Sequence, residues 1–275
     1  MTWEKKKVLV TVKTYPEHSQ KHKTVVCTSG ITEDGEWIRL YPIKIDTYTG
    51  RSKVRKYDWI EVECQKATDE YLKRKESYKV REGSVKILDN SLSSGKNKTP
   101  WAERSRLLLP HVAPSLEYLK EQYQTDRTSL GLIKPKEVLD FFTREPLTLP
   151  QEPREFQKSL FEDKIFPIID SIPHIFAYKF NCAGCNDGKS HNIMCEDWEL
   201  FELYRNLGQN TTDVKNLWEK IRQKYYDWML KRDLYFYMGM YSLQPTWLII
   251  GLYYPPKEIL ISVKKPVTLG NWMGT

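Results

Sequence analysis

Residues 182 to 195 read CAGCNDGKSHNIMC and gather Cys182, Cys185, His191 and Cys195, with three of the chain's five cysteines, into one short stretch. Thiolate and imidazole are ligands that zinc favours, and two cysteines separated by two residues can wrap one side of its tetrahedron. His191 and Cys195 stand four apart, so on a helical turn they would share a face and complete the site. The spacing CxxCx5HxxxC is close to that of a nucleic-acid-binding zinc knuckle, with the histidine one position late. Structural zinc on these four residues is the leading expectation. Reduced cysteines packed as small apolar residues beside a hydrogen-bonded histidine are the second reading, and a redox CxxC the third. Four ligands would close the coordination shell and leave no place for a catalytic water.

The run Glu196, Asp197, Trp198, Glu199 follows at once. Clustered carboxylates hold the Mg²⁺ that phosphodiester cleavage needs, so Asp197 and Glu199 carry an alternative reading as a metal-dependent nuclease. Two residues apart on a helix, however, they diverge by about 200°. Carboxylates at a helix start are also what free amides and the helix dipole attract, with Trp198 then in the core. The sequence has no phosphate-binding glycine pattern, no GxSxG elbow and no HExxH. No residue is assigned a catalytic role, and the chain reads as non-catalytic by itself.

Net charge is +7 and unevenly spread: residues 1–110 hold 23 Lys and Arg against 15 Asp and Glu, and the rest 20 against 21. Lys44, Arg51, Lys53, Arg55 and Lys56 form one cluster, and Lys73, Arg74, Lys75, Lys79 and Arg81 a second. Such clusters attract polyanions and contact phosphates, or else are solvated loops and strand faces. Tyr15, Trp37, Tyr41, Tyr57, Trp59 and Tyr78 intersperse them. Alternation puts Ile38 and Leu40 inward and Trp37, Arg39 and Tyr41 outward, as a stacking-plus-phosphate surface or as a barrel exterior covered by a second domain. The candidate nucleic-acid contacts are Lys13, Tyr15, Trp37, Arg39, Tyr41, Arg55, Lys56, Arg74, Lys75 and Tyr78.

Periodicity supplies the elements that must hold these residues. Strand patterns cover Lys7–Thr14, Lys23–Gly30, Glu36–Tyr41, Tyr57–Gln65 and Ser77–Leu88, which suits a small OB-like or SH3-like barrel. Helices are expected at Trp101–Leu108 and Ser115–Tyr123, and the inter-domain connection around 110–125. Strands follow at Ser129–Ile133, Glu137–Thr143 and Phe176–Phe180, helices at Glu196–Leu207 and Asp213–Leu230, and strands at Asp233–Met240 and Thr246–Tyr254. Mean hydropathy of −0.60 and a longest apolar stretch of Trp247–Tyr254 are too little for a membrane span. The N-terminus lacks a signal core, which points to the cytoplasm.

Several stretches taken in order, VLVTVKTYPE, TVVCTSGI, EWIRLYPI, KESY, SLGLIKP, EDWELFELYR and WLIIGLYYPP, resemble the dual OB-domain family of prokaryotic proteins. The resemblance runs from about residue 8 to residue 256. It implies two OB-like barrels in one chain and nucleic-acid binding within a mobile-element or phage-defence operon, and carries no catalytic reaction. The expected fold is therefore α+β with two small β-barrel modules, the second with inserted helices: a basic OB-like barrel at 1–110, and a second barrel at 111–275 with the Cys/His segment. The expected role is a recognition or assembly subunit for nucleic acid, of unspecified strand type, beside an operon-encoded protein partner. A protein-interaction scaffold for a partner enzyme is the remaining alternative.

Overall fold

The computed structural model describes residues 2–14, 17–19, 23–48, 53–68, 74–93, 100–150, 173–185, 190–241 and 246–258. Its first seven strands are β1 (Glu4–Lys13), β2 (Glu17–Ser19), β3 (Lys23–Thr32), β4 (Trp37–Lys44), β5 (Trp59–Lys66), β6 (Ser77–Val80) and β7 (Lys86–Asp89). Along β5 the side chains of Ile60, Val62 and Cys64 are buried and the residues between them are half-buried, the period of two that a strand imposes. β1 pairs with β3 and β5, β3 with β4, β4 runs parallel to β6, and β6 returns to β5. The path closes into a five-stranded Greek-key barrel of the OB kind, around Val8, Val10, Ile38, Leu40, Ile60 and Val62. β2 extends β3, and β7 lies outside the ring against β5. The single strand expected over Ser77–Leu88 is two strands, β6 and β7, because the chain turns at Glu82 and Gly83, where φ is +72°.

Helix α1 (Trp101–Leu108), strand β8 (Val112–Ala113) and helix α2 (Leu116–Asp126) lead out of this barrel. Ser115 caps α2 by accepting the Tyr118 N–H at 3.1 Å, and Arg127 in the left-handed region ends it. Strands β9 (Leu130–Ile133), β10 (Pro135–Thr143), β11 (Phe176–Cys182) and β12 (His191–Met194) come next. Helices α3 (Trp198–Gly208) and α4 (Val214–Arg222) precede the final pair, β13 (Tyr235–Met240) and β14 (Trp247–Tyr253). The helix expected over Asp213–Leu230 is α4 continued by a π-helix, Gln223–Trp228, and a 3₁₀ turn, Met229–Lys231.

β9 and β10 form one bent path that pairs with β13 at one end and β11 at the other. β11 pairs with β12, and β13 with β14. Just past β12, Cys195 bridges Ile249 in parallel and Glu196 N–H donates to the Ile249 carbonyl at 2.7 Å. The second ring thus closes in the same strand order as the first, and its crossover holds α3 and α4. The α+β fold with two barrel modules, the second with inserted helices, is the one expected.

A third apolar cluster joins the modules: Leu9, Val12, Ile31 and Tyr57 pack with Leu130, Leu132, Tyr237 and Ile250. β1 is therefore buried on both faces from Val8 to Val12, which accounts for its apolar run VLVTV. Each such aliphatic side chain stabilises by about 1.5–3 kcal/mol when fully buried. Among the described residues no helix is long and apolar enough to cross a membrane.

Candidate functional site

Cys182 ends β11 on its inward face, and the following turn carries Cys185. The β11–β12 register sets His191 opposite Phe180, their rings 5.2 Å apart. The first turn of α2 then brings in Glu117. Its Oε1 lies 3.3 Å from His191 Nε2, the Cys185 thiol donates to its Oε2, and Cys185 Sγ is 3.0 Å from His191 Nε2. The ligand atoms of Glu117, Cys182, Cys185 and His191 all lie within 4.8 Å of one another. Tetrahedral zinc separates its ligands by roughly 3.3–3.8 Å, so a small contraction would seat an ion. Burial raises the Cys182 thiol and pushes that of Cys185 up to about 12, with the Glu117 carboxylate adding to the latter. Burial lowers His191. For Glu117 burial acts upward, but hydrogen bonding by Cys185 and the charge of His191 prevail and the carboxyl lies below its usual range.

Cys195 is not part of this group. Its side chain is 1% exposed in the second core, and its N–H donates to the Phe176 carbonyl at 2.8 Å. The expected helical turn is instead an extended strand, on which four residues span about 13 Å. The fourth member of the group, Glu117, lies 68 residues before Cys185, and no local spacing signals it.

The candidate nucleic-acid residues do not form one surface. Trp37 and Arg39 do point outward, but the second module covers them. Trp37 meets Tyr237 and His111 edge to face, with ring centroids 6.2 and 6.3 Å away. Arg39 is 7% exposed and donates through Nη2 to the Ser129 carbonyl at 3.2 Å. The exposed stacking surface expected there is thus an inter-module contact. Lys56 is half-buried, donates to the Leu252 carbonyl at 2.9 Å and lies over the rings of Tyr57 and Tyr237. Burial lowers the Arg74 guanidinium to about 10, with neighbouring Arg39 contributing. Arg55 is exposed, and Tyr41 is 38% exposed. Exposed Lys75 pairs with Asp126 of α2 at 2.5 Å. Tyr78, half-buried at the end of the first barrel, has Lys66 Nζ 4.7 Å and Lys6 Nζ 5.2 Å from its ring centroid. On the side to which Glu63 points, Arg81 pairs with that carboxylate at 3.0 Å and lies 4.7 Å over exposed Trp3. Lys6, Lys66 and Trp3 lie outside the basic clusters of the sequence. Only the register, which sets Lys66 opposite Tyr78 and Lys6 opposite Val62, brings the two lysines together. Tyr15 lies outside the described residues.

Lys13 enters a cleft of about 400 Å³ between the modules, also lined by Lys56, Asp197, Trp198, Glu199 and Glu202. Its ammonium sits 4.8 Å over Trp198 and 5.2 Å over Tyr48, and burial lowers its pKa. Asp197 is the N-cap of α3: Oδ1 accepts the Glu199 N–H at 2.8 Å, and Oδ2 accepts the Leu252 N–H at 2.9 Å. Burial pushes its carboxyl up to about 6 against the opposing charge of Lys56. Both oxygens are thus engaged by main-chain amides. Glu199 is exposed and accepts from the Tyr254 hydroxyl at 3.4 Å, so the two carboxylates do not converge on one ion.

Two family models match, each described as a domain of unknown function: DUF8758 over residues 4–110 and DUF8757 over residues 112–268. No curated protein matches the chain. Among solved structures, the chain is similar to one described as a replication protein A heterotrimer bound to ssDNA. That similarity has a TM-score of 0.38 and 7% identity, and covers 95% of this chain and 51% of the other. The chain thus spans about half the length of the chain it matches.

Proposed function

The chain belongs to the family described as Domain of unknown function (DUF8757), and since that description names no activity, we propose one from the chain's own residues. It is a nucleic-acid-binding recognition or assembly subunit, non-catalytic by itself. It acts in the cytoplasm of a prokaryote, in a defence or mobile-element system with an operon-encoded protein partner. The setting rests on the resemblance of its sequence to the dual OB-domain family. The binding rests on one observation: at one end of the basic barrel, Tyr78 carries two lysine ammoniums over its ring. Rings that stack bases beside cations that neutralise phosphates are how OB barrels hold single strands. In this reading residues 1–110 bind the strand, residues 111–275 brace them, and the Cys/His/Glu cluster is a structural zinc site.

Fluorescence anisotropy with labelled single-stranded and duplex DNA and RNA tests the reading. Single strands are expected to bind at low salt, with affinity that falls as salt rises. Absence of binding at low salt, or binding indifferent to salt, sinks it. A second reading, as a protein-docking subunit, is favoured by β7, an outer strand that leaves Ile87 38% and Leu88 48% exposed. Co-purification of a partner protein that Leu88→Lys abolishes, with no affinity for nucleic acid, selects it.

A further inference from the structure

The residues of the Cys/His/Glu cluster come from two separate parts of the second module. Cys182, Cys185 and His191 surround the β11–β12 turn, whereas Glu117 stands in the first turn of α2. The turn also lies close against the helix cap: a Cβ on Gly184 would sit 3.4 Å from that of Ser115. The other end of α2 reaches the first barrel. Asp126 pairs with Lys75, Lys75 N–H donates to the Arg127 carbonyl at 3.1 Å, and buried Glu76 accepts the Ser129 and Leu130 N–H groups. One helix thus spans the distance between the cluster and the loop that leads into Tyr78.

We infer that the Cys182 and Cys185 thiolates, His191 Nε2 and the Glu117 carboxylate bind one Zn²⁺, and that the ion clamps α2 and through it the Arg74–Glu76 loop of the first barrel. This rests on the reading of the cluster as a structural zinc site and adds the mechanical effect of the ion. The chemistry suits the ion. Two sulfurs, one imidazole and one carboxylate are a borderline-soft set for a tetrahedral divalent metal, and binding releases the two thiol protons to solvent. A carboxylate on a helix is also a different ligand from a core cysteine: the ion joins elements distant in sequence instead of stiffening a single hairpin.

Titration of the full chain with Co²⁺, followed by displacement with Zn²⁺, tests the site without any nucleic acid. Wild type is expected to bind one metal per chain and to show thiolate-to-cobalt absorption with tetrahedral bands. Glu117→Gln is expected to weaken affinity by at least about tenfold, and Cys195→Ser to leave it unchanged. Hydrogen exchange then reads the clamp: with Zn²⁺, amides of residues 116–127 and 74–78 exchange more slowly, and this gain is lost in Glu117→Gln. Absence of cobalt bands in wild type, undiminished affinity in Glu117→Gln, or loss of metal from Cys195→Ser overturns the site; unaltered exchange at 74–78 overturns the clamp. Should a variant fail to fold, protection of Cys185 from iodoacetamide by Zn²⁺ in wild type supports the site, and equal labelling with and without the ion refutes it. Oligonucleotide binding is a separate measurement, so its failure leaves these outcomes intact.

Discussion

The two barrels follow the same strand path, yet the same outer face meets different surroundings in each. In the first, the exterior of β3 and β4 carries Trp37 and Arg39 into contact with Tyr237, His111 and Ser129 of the second module. In the second, the equivalent exterior of β11 and β12 presents half-buried Lys179 and Met194 with exposed Asn192. The face on which an OB barrel commonly holds its ligand is thus taken up internally in the more basic module. Topology sets which side chains point outward, but the neighbouring module decides whether anything outside can reach them. Exposed cations are found elsewhere on the first barrel, at Arg55 and Lys75, and at its β1–β5–β6 end, where Lys66 is exposed and Lys6 half-buried beside Tyr78.

Substitutions at covered and open positions separate the two situations. The largest effect is expected for Glu76→Ala, which removes the acceptor for Ser129 N–H at 2.8 Å, Ser129 Oγ at 2.8 Å and Leu130 N–H at 3.2 Å. It costs about 3 kcal/mol or more in urea unfolding, since hydrogen bonds to a charged group are worth about 1.5–3 kcal/mol each. Trp37→Ala is expected to destabilise by about 2–3 kcal/mol and to leave oligonucleotide affinity unchanged; a selective loss of affinity would contradict the covered face. Tyr78→Ala is expected to weaken single-strand binding by about 1–3 kcal/mol in anisotropy titrations, in addition to a loss of stability from removing a ring packed on the first core.

A smaller effect depends on pH. The carboxyl of Asp197 has a folded-state pKa of about 6, above the ordinary 3.8, because it is buried. The native state therefore holds the proton more tightly: the contribution to stability is full below the unfolded value and is lost as pH rises through about 6. Melting temperatures at pH 4.5 and 7 should differ in this sense more in wild type than in Asp197→Asn, and parallel profiles would disprove it. The smallest expected change is in Lys66→Ala, where the salt slope for single strands falls by about 0.7.

Much of this architecture is legible in the sequence where side-chain periodicity is local. Ile38 and Leu40 read correctly as inward, and the strands around them follow. The break at Gly83 is masked in the sequence, because the residues on either side continue a strand-like pattern. What alternation cannot report is cover, so Trp37 and Arg39 read as outward without any sign of Tyr237 or Ser129. The Cys/His/Glu cluster divides in the same way. Cys182, Cys185 and His191 are apparent from spacing, whereas Cys195 joins them only on a helical spacing that the extended β12 does not have. Glu117 depends on how α2 packs. The pairing of Lys6 and Lys66 with Tyr78 likewise exists only after β1, β5 and β6 are in register.

The burial of β1 on both faces has a consequence for descent. Leu9 and Val12 turn their apolar side chains toward the second barrel while Val8 and Val10 fill the first. A recombination event that moved the first barrel alone into another gene would transfer an uncovered apolar wall with it, and the product would be prone to aggregate. Selection acting on such events favours keeping the two barrels as one heritable piece.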